Sequence, residues 1–153
     1  MPASREQEGL WLLEQGGAIG AANNLPLALA LDGELDRPRL RRAFQLLVER
    51  QPALRTELRV CGGRLQSRQR VRPPWRVELE VVDVLDESEA AVRAEERCAR
   101  RLDPLRWPPY GASLISGPGH RHLLLIVAHH CVVDGGSLEP LLGDLMGLSL
   151  IHI

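Results

Sequence analysis

The sequence predicts an α+β two-layer sandwich, and three observations carry that prediction. Two stretches place apolar residues at helical spacing, several short stretches are aliphatic and end at turn residues, and strands and helices do not alternate in regular strand-helix-strand units. At 153 residues the chain fits one domain with a real core. Hydrophobic residues make up 44% but aromatic residues only 3%, so Leu, Val and Ala must do the packing.

Ser4 followed by Gln7 has the pattern of a capping box, in which two side chains satisfy each other's amides at a helix start. Leu10, Trp11 and Leu13 supply apolar spacing, and Gly16-Gly17 stops the segment. Residues 25–31 alternate Leu with smaller residues and end at Asp32-Gly33, which reads as a strand even with Pro26 near its start. Asp36 then caps a helix with Pro38 in its first turn. Leu40, Ala43, Phe44, Leu47 and Val48 share one face of it, and Pro52 closes it.

Residues 54–60 and 64–71 form a hairpin through Cys61-Gly62-Gly63, because tight hairpin turns need positive φ, and Pro73-Pro74 ends the second strand. Residues 77–82 alternate as a strand. Residues 88–102 form a charged amphipathic helix with Ala91, Val92, Cys98 and Leu102 among its apolar positions. A proline-rich connector, 103–110, leads to strands 111–116 and 121–128, joined by Gly117-Pro118-Gly119, and Ser137 begins a last helix through Met146. The tail Leu148-Ser149-Leu150-Ile151-His152-Ile153 departs from this pattern and resembles the translation of a transposon-type sequencing adapter. The expectation is a native segment 1–147 and a non-native 148–153.

The net charge is −1, and every cation is Arg. The arginines are interleaved with Glu and Asp rather than gathered into a stripe, which argues against nucleic acid. Three cysteines without CxxC spacing fit free thiols in a reducing compartment. The first residues lack a signal-peptide pattern, and no apolar run reaches the roughly 20 residues that span a bilayer, so a cytoplasmic protein without membrane contact is expected.

The chemistry is concentrated in His129-His130-Cys131-Val132-Val133-Asp134-Gly135, which follows the apolar run of residues 123–128. A strand end fixes the backbone, and the loop after it can present an imidazole to a cleft. Taken alone, such a histidine is as readily structural as it is a proton-handling group. A zinc site built from His120, His122, His129 and His130 lacks supporting carboxylate spacing, so no metal is expected. Cys131 beside two histidines invites a nucleophile reading, but packing is the better account of it.

His129-His130-x-x-x-Asp134-Gly135 resembles the HHxxxDG signature of the condensation domains of nonribosomal peptide synthetases, whose fold is similar to chloramphenicol acetyltransferase. Four further segments match in order. Ser4-x-x-Gln7-x-x-Leu10-Trp11-x-Leu13 resembles the opening motif, and residues 31–36 resemble the strand leading into the first long helix. Residues 50–56 resemble the RHExLRT motif, and Leu102-Asp103-Pro104 with Pro109 resembles the later connector. Gly9, Gln51-Pro52 and Tyr110-Gly111-Ala112 depart from the usual pattern, which bears on subtype. The chain stops just after the motif helix, so the resemblance implies the amino-terminal lobe only, with a second lobe missing.

The resemblance implies amide formation between an acyl or peptidyl thioester on one peptidyl carrier protein domain and an aminoacyl group on another. Both substrates ride on phosphopantetheine, and no cofactor is bound directly. By match to the motif, His130 is the catalytic residue, as general base or as a hydrogen-bonding group for the tetrahedral intermediate. His129 supports the loop, Asp134 is ion-paired with Arg55, Gly135 lets substrate approach the backbone, and Ser137 caps the last helix. An adjacent adenylation domain is implied. The alternatives are an epimerisation domain, a free-standing HHxxxDG acyltransferase, or a condensation-like docking module without catalysis. The amino-terminal lobe alone is expected to be inactive.

Overall fold

A computed structural model describes residues 2–17, 20–69 and 76–150. The elements run α1 (Arg5–Gln15), β1 (Asn24–Asp32), α2 (Arg37–Arg50), a 3-10 turn (Ala53–Arg55), β2 (Thr56–Cys61), β3 (Arg64–Gln69), β4 (Glu80–Asp83), α3 (Glu87–Ala99), β5 (Tyr110–Gly117), β6 (Arg121–His129) and α4 (Gly135–Leu150). A four-stranded sheet has the order β1-β6-β5-β4, and β2 and β3 make a separate hairpin.

The local signals produce these elements for the expected reasons. Ser4 Oγ accepts from the Gln7 amide at 3.2 Å and Gln7 Oε1 accepts from the Ser4 amide at 3.0 Å, completing the capping box. Asp36 caps α2 through the Arg39 amide at 2.9 Å. Gly62 and Gly63 take φ of 58° and 74°, the left-handed pair that a two-residue hairpin turn needs.

Alternation along β6 divides the two faces of the sheet. Leu124, Ile126 and Ala128 join Leu114 and Ala112 of β5 against Phe44, Leu47 and Val48 of α2 and Leu141, Leu145 and Leu148 of α4. Phe44 is fully buried and meets Tyr110 edge-on, with ring centroids 6.0 Å apart. The expected α+β sandwich is therefore present, with α2 and α4 on one face. α3 packs across β5, β1 and β6, and the Asn24 side chain donates to the Cys98 and Arg100 carbonyls at its end.

Several boundaries differ from the sequence reading. Residues 54 and 55 turn in a 3-10 segment before β2, and Val71 and Pro73-Pro74 lie outside the described residues. The strand expected over 77–82 is β4, shifted to Glu80–Asp83, and it pairs parallel with β5. β4, α3 and β5 therefore make one strand-helix-strand unit inside an otherwise antiparallel sheet. α4 begins at Gly135 rather than Ser137 and passes Met146 to reach Leu150, with Leu148 buried. Leu13, read as an apolar contact of the first helix, is 61% exposed. The inward face of α1 instead carries Gln7, Leu10, Trp11 and Glu14.

Candidate functional site

β6 ends at His129, whose position is fixed before its side chain is considered. It pairs with Asn24 of β1, and its amide donates to the Pro109 carbonyl at 2.9 Å. Its carbonyl accepts from Val132 at 3.0 Å and Val133 at 3.3 Å, which turns the chain sharply after the strand. The next residue, His130, donates its amide to the Asn23 carbonyl at 2.8 Å and keeps an exposed side chain. The loop thus presents one imidazole outward on a tied backbone and turns the other inward.

The inward imidazole, His129, is fully buried. Its Nε2 lies 2.5 Å from Glu14 Oε1, and its Nδ1 accepts from the Cys131 amide at 3.0 Å. Glu14 is itself only 6% exposed. The same Oε1 accepts from Asn23 Nδ2 at 2.9 Å, and Arg101 approaches Oε2 at 3.8 Å. A carboxylate buried to this degree requires such partners. Gln7 adds a second tie from α1, donating from Nε2 to the Cys131 carbonyl at 2.8 Å. Ala3, Leu10 and Trp11 then pack on Cys131 and Leu58.

Asp134 occupies a different role from the one expected. Its carboxylate is exposed, and Oδ1 accepts from the Ser137 amide at 2.8 Å and from the Ser137 hydroxyl. Asp134 is therefore the N-cap of α4, and Ser137, expected to cap, lies in the first turn as a donor to it. The two Ser137 hydrogen bonds hold the Asp134 carboxyl below its ordinary value. Among the described residues no ion pair joins Asp134 to Arg55, which sits half-buried in the 3-10 turn. An exposed carboxylate satisfied by a cap needs no arginine, which is why the expected pair is not formed. A Cβ placed on Gly135 would meet no atom within 4 Å, so packing within the chain does not require glycine there.

Cys61 is exposed, Cys98 is half-buried and Cys131 is buried, all as free thiols. Burial, with a smaller contribution from the Glu14 charge, pushes the Cys131 thiol up to about 12. It is a packing residue at neutral pH, with none of the activation that a nucleophile needs. Among the described residues no cluster of three or more His, Cys, Asp or Glu could hold a metal ion. An open cleft of about 860 Å³ lies between the end of α1, α3 and the connector, lined by Glu14, Arg97, Arg101 and Trp107 among others. His130 is not in its lining; the cleft meets the motif through Glu14, which holds His129, and through Trp11, which packs on Cys131.

Glu14 and Asn23 carry no role in the sequence reading, and Gln7 enters it as a helix cap and as part of the opening motif, without its tie to Cys131. The signal was a seven-residue step: Gln7 and Glu14 lie two helical turns apart on the face that also carries Leu10 and Trp11.

The family model described as Condensation domain matches residues 1–149. This chain belongs to the condensation domain family. The condensation domain chain is 40% identical over 147 residues to a probable non-canonical nonribosomal peptide synthetase, CymA, of Salinispora arenicola, covering 95% of this chain and 2% of that protein. It is 34% identical over 147 residues to surfactin synthase subunit 2 of Bacillus subtilis, covering 94% of this chain and 4% of that one. The solved first condensation domain of the calcium-dependent antibiotic synthetase superposes with a TM-score of 0.83 at 27% identity, covering 94% of this chain and 35% of that chain. The starter condensation domain of rhizomide synthetase shares the fold at a TM-score of 0.86 and 15% identity, covering 96% of this chain and 36% of that chain. No helix among the described residues of this condensation domain chain is long and apolar enough to cross a membrane.

Proposed function

We propose that residues 1–147 are the amino-terminal lobe of a condensation domain of a nonribosomal peptide synthetase, and that residues 148–153 are not native to it. The covered share of the solved condensation domains, 35–36%, supports a missing second lobe. In the complete domain the amine of a carrier-bound aminoacyl group attacks the thioester carbonyl of a carrier-bound acyl or peptidyl donor. A C–N bond forms, the C–S bond breaks, and the departing phosphopantetheine sulfur leaves as a thiol. His130 is the catalytic residue. It accepts the proton of the attacking amine or donates a hydrogen bond to the tetrahedral intermediate.

The observation that carries this reading is the division of labour between the two histidines. His129 is buried and saturated with partners, whereas His130 is exposed on a backbone held by the Asn23 carbonyl. His129 and Asp134 support the loop, and the open space around Gly135 leaves room for substrate. The partners are a donor and an acceptor peptidyl carrier protein domain, an adjacent adenylation domain and the second lobe, in the cytoplasm. The lobe alone is inactive, because the cleft needs both lobes.

The test is an amide-forming assay on the complete domain with carrier-loaded donor and acceptor. His130→Ala should lower the rate by about 10²- to 10⁴-fold. Exchange of the α-proton of an aminoacyl carrier substrate without amide product would instead identify an epimerisation domain. Carrier binding without either reaction would identify a docking module.

A further inference from the structure

We propose that Glu14 is a positioning residue for His130, acting through two arms: a His129 imidazole locked as the neutral Nε2–H tautomer, and Asn23, whose carbonyl holds the His130 amide. The significance of His130 rests on the function proposed above, while the proton assignment rests on geometry alone.

The Cys131 amide has one hydrogen and can only donate. It points at His129 Nδ1 from 3.0 Å, so Nδ1 must carry a lone pair. A protonated Nδ1 would set two donors against each other, which excludes the imidazolium and the Nδ1–H tautomer alike. The single ring proton therefore sits on Nε2, facing Glu14 Oε1 at 2.5 Å. The contact is thus a hydrogen bond from a neutral ring to a carboxylate. Arg101, near Oε2, is the cation that faces Glu14.

The same carboxylate oxygen holds Asn23 by its side chain, and the Asn23 carbonyl holds the His130 amide. Two arms therefore leave Glu14 and close on consecutive residues of the loop. One runs through the His129 ring to the Cys131 amide, and the other through Asn23 to the His130 amide. His130 lies between two tied amides, so its exposed ring departs from a fixed backbone. None of these contacts requires the second lobe.

The first test is nitrogen-15 spectroscopy of the histidine side chains of the full chain near neutral pH. A pyridine-like Nδ1 and a protonated, slowly exchanging Nε2 on His129 are expected. A proton on Nδ1, or on both nitrogens, overturns the proposal. Glu14→Ala should accelerate hydrogen exchange of the His130 and Cys131 amides about tenfold or more relative to mid-β6 amides. Unchanged exchange of the His130 and Cys131 amides, or acceleration no greater than that of the mid-β6 amides, overturns it. Glu14→Gln keeps an acceptor oxygen, and should keep both the tautomer and the amide protection. Loss of either, or failure of that variant to fold, overturns the proposal. In the complete domain Glu14→Ala should lower kcat about tenfold with KM little changed, and Glu14→Gln should restore most of it. Wild-type domain without amide-forming activity would defeat the functional reading and leave the spectroscopic result standing.

Discussion

Glu14 Oε1 and His129 Nε2 lie 2.5 Å apart across 115 residues of chain, and their side chains are 4% and 0% exposed. The opening helix is thereby fastened to the end of the central strand through a polar contact that water does not reach. Such a contact is valuable only while complete, because removing one side leaves the other buried without a partner.

His129→Phe should therefore destabilise the chain by about 3 kcal/mol even though a planar apolar ring replaces the imidazole. The substitution strips Glu14 of one donor and leaves the Cys131 amide without its acceptor. Urea denaturation measures it. A change in the midpoint worth less than about 0.5 kcal/mol, the range of ordinary surface substitutions, would show that the pair does not hold the fold.

Asp134 predicts a pH dependence with a definite sign. Its carboxyl is held below the ordinary range by the Ser137 hydroxyl and amide, so the folded state binds that proton less readily than the unfolded chain does. The stability it contributes is present above the unfolded value and is lost as pH falls through the lower, folded one. Asp134→Asn keeps a capping oxygen without the charge. Thermal melts of that variant should show a shallower loss of Tm on the acid side than wild type. Parallel acid limbs would remove Asp134 from the account.

Local grammar was legible where the fold depends on local grammar. The face of α2 follows from spacing because five apolar residues recur at helical intervals, and all five are buried. The capping box of α1 and the Gly62-Gly63 turn are likewise properties of a few adjacent residues. The motif histidines were located at a strand end because a continuous apolar run precedes them. What the sequence concealed is long-range or competitive. Glu14 resembles a solvated helix residue until β6 is placed beside it. Asp134 had two available partners, and the nearer one, three residues on, takes it. Residues 77–79 alternate like a strand, yet pairing with β5 begins only at Glu80.

The interior predicts a contrast between two apolar positions. Phe44 is fully buried and packs edge-on against Tyr110, whereas Leu85 is 86% exposed. Phe44→Ala leaves a cavity between α2 and the sheet and should cost about 3–5 kcal/mol. Leu85→Ala should stay within about 0.5 kcal/mol. Chemical denaturation of the two variants, side by side, checks the assignment of the core face. Comparable losses would mean that the α2 face is packed elsewhere.

Cys131 and Cys61 should separate by reactivity. Alkylation proceeds through the thiolate, and burial together with the nearby Glu14 charge holds Cys131 as a thiol up to about 12. Against an ordinary thiol the thiolate fraction at pH 8 is then lower by roughly a thousandfold, before any loss of access is counted. Cys61 is exposed at the hairpin turn. Iodoacetamide at pH 8 should therefore label Cys61 to completion while Cys131 remains intact by peptide mass mapping. The linkage runs in the same direction: because the folded state keeps the Cys131 proton more tightly, the stability it contributes is present below the ordinary thiol range and lost as pH rises toward about 12. Cys131→Ser should consequently flatten the alkaline limb of the stability curve. Prompt labelling of Cys131 in the native chain would reverse the argument, since only an accessible, activated thiolate beside His129 and His130 reacts that fast, and the nucleophile reading would then take precedence over packing.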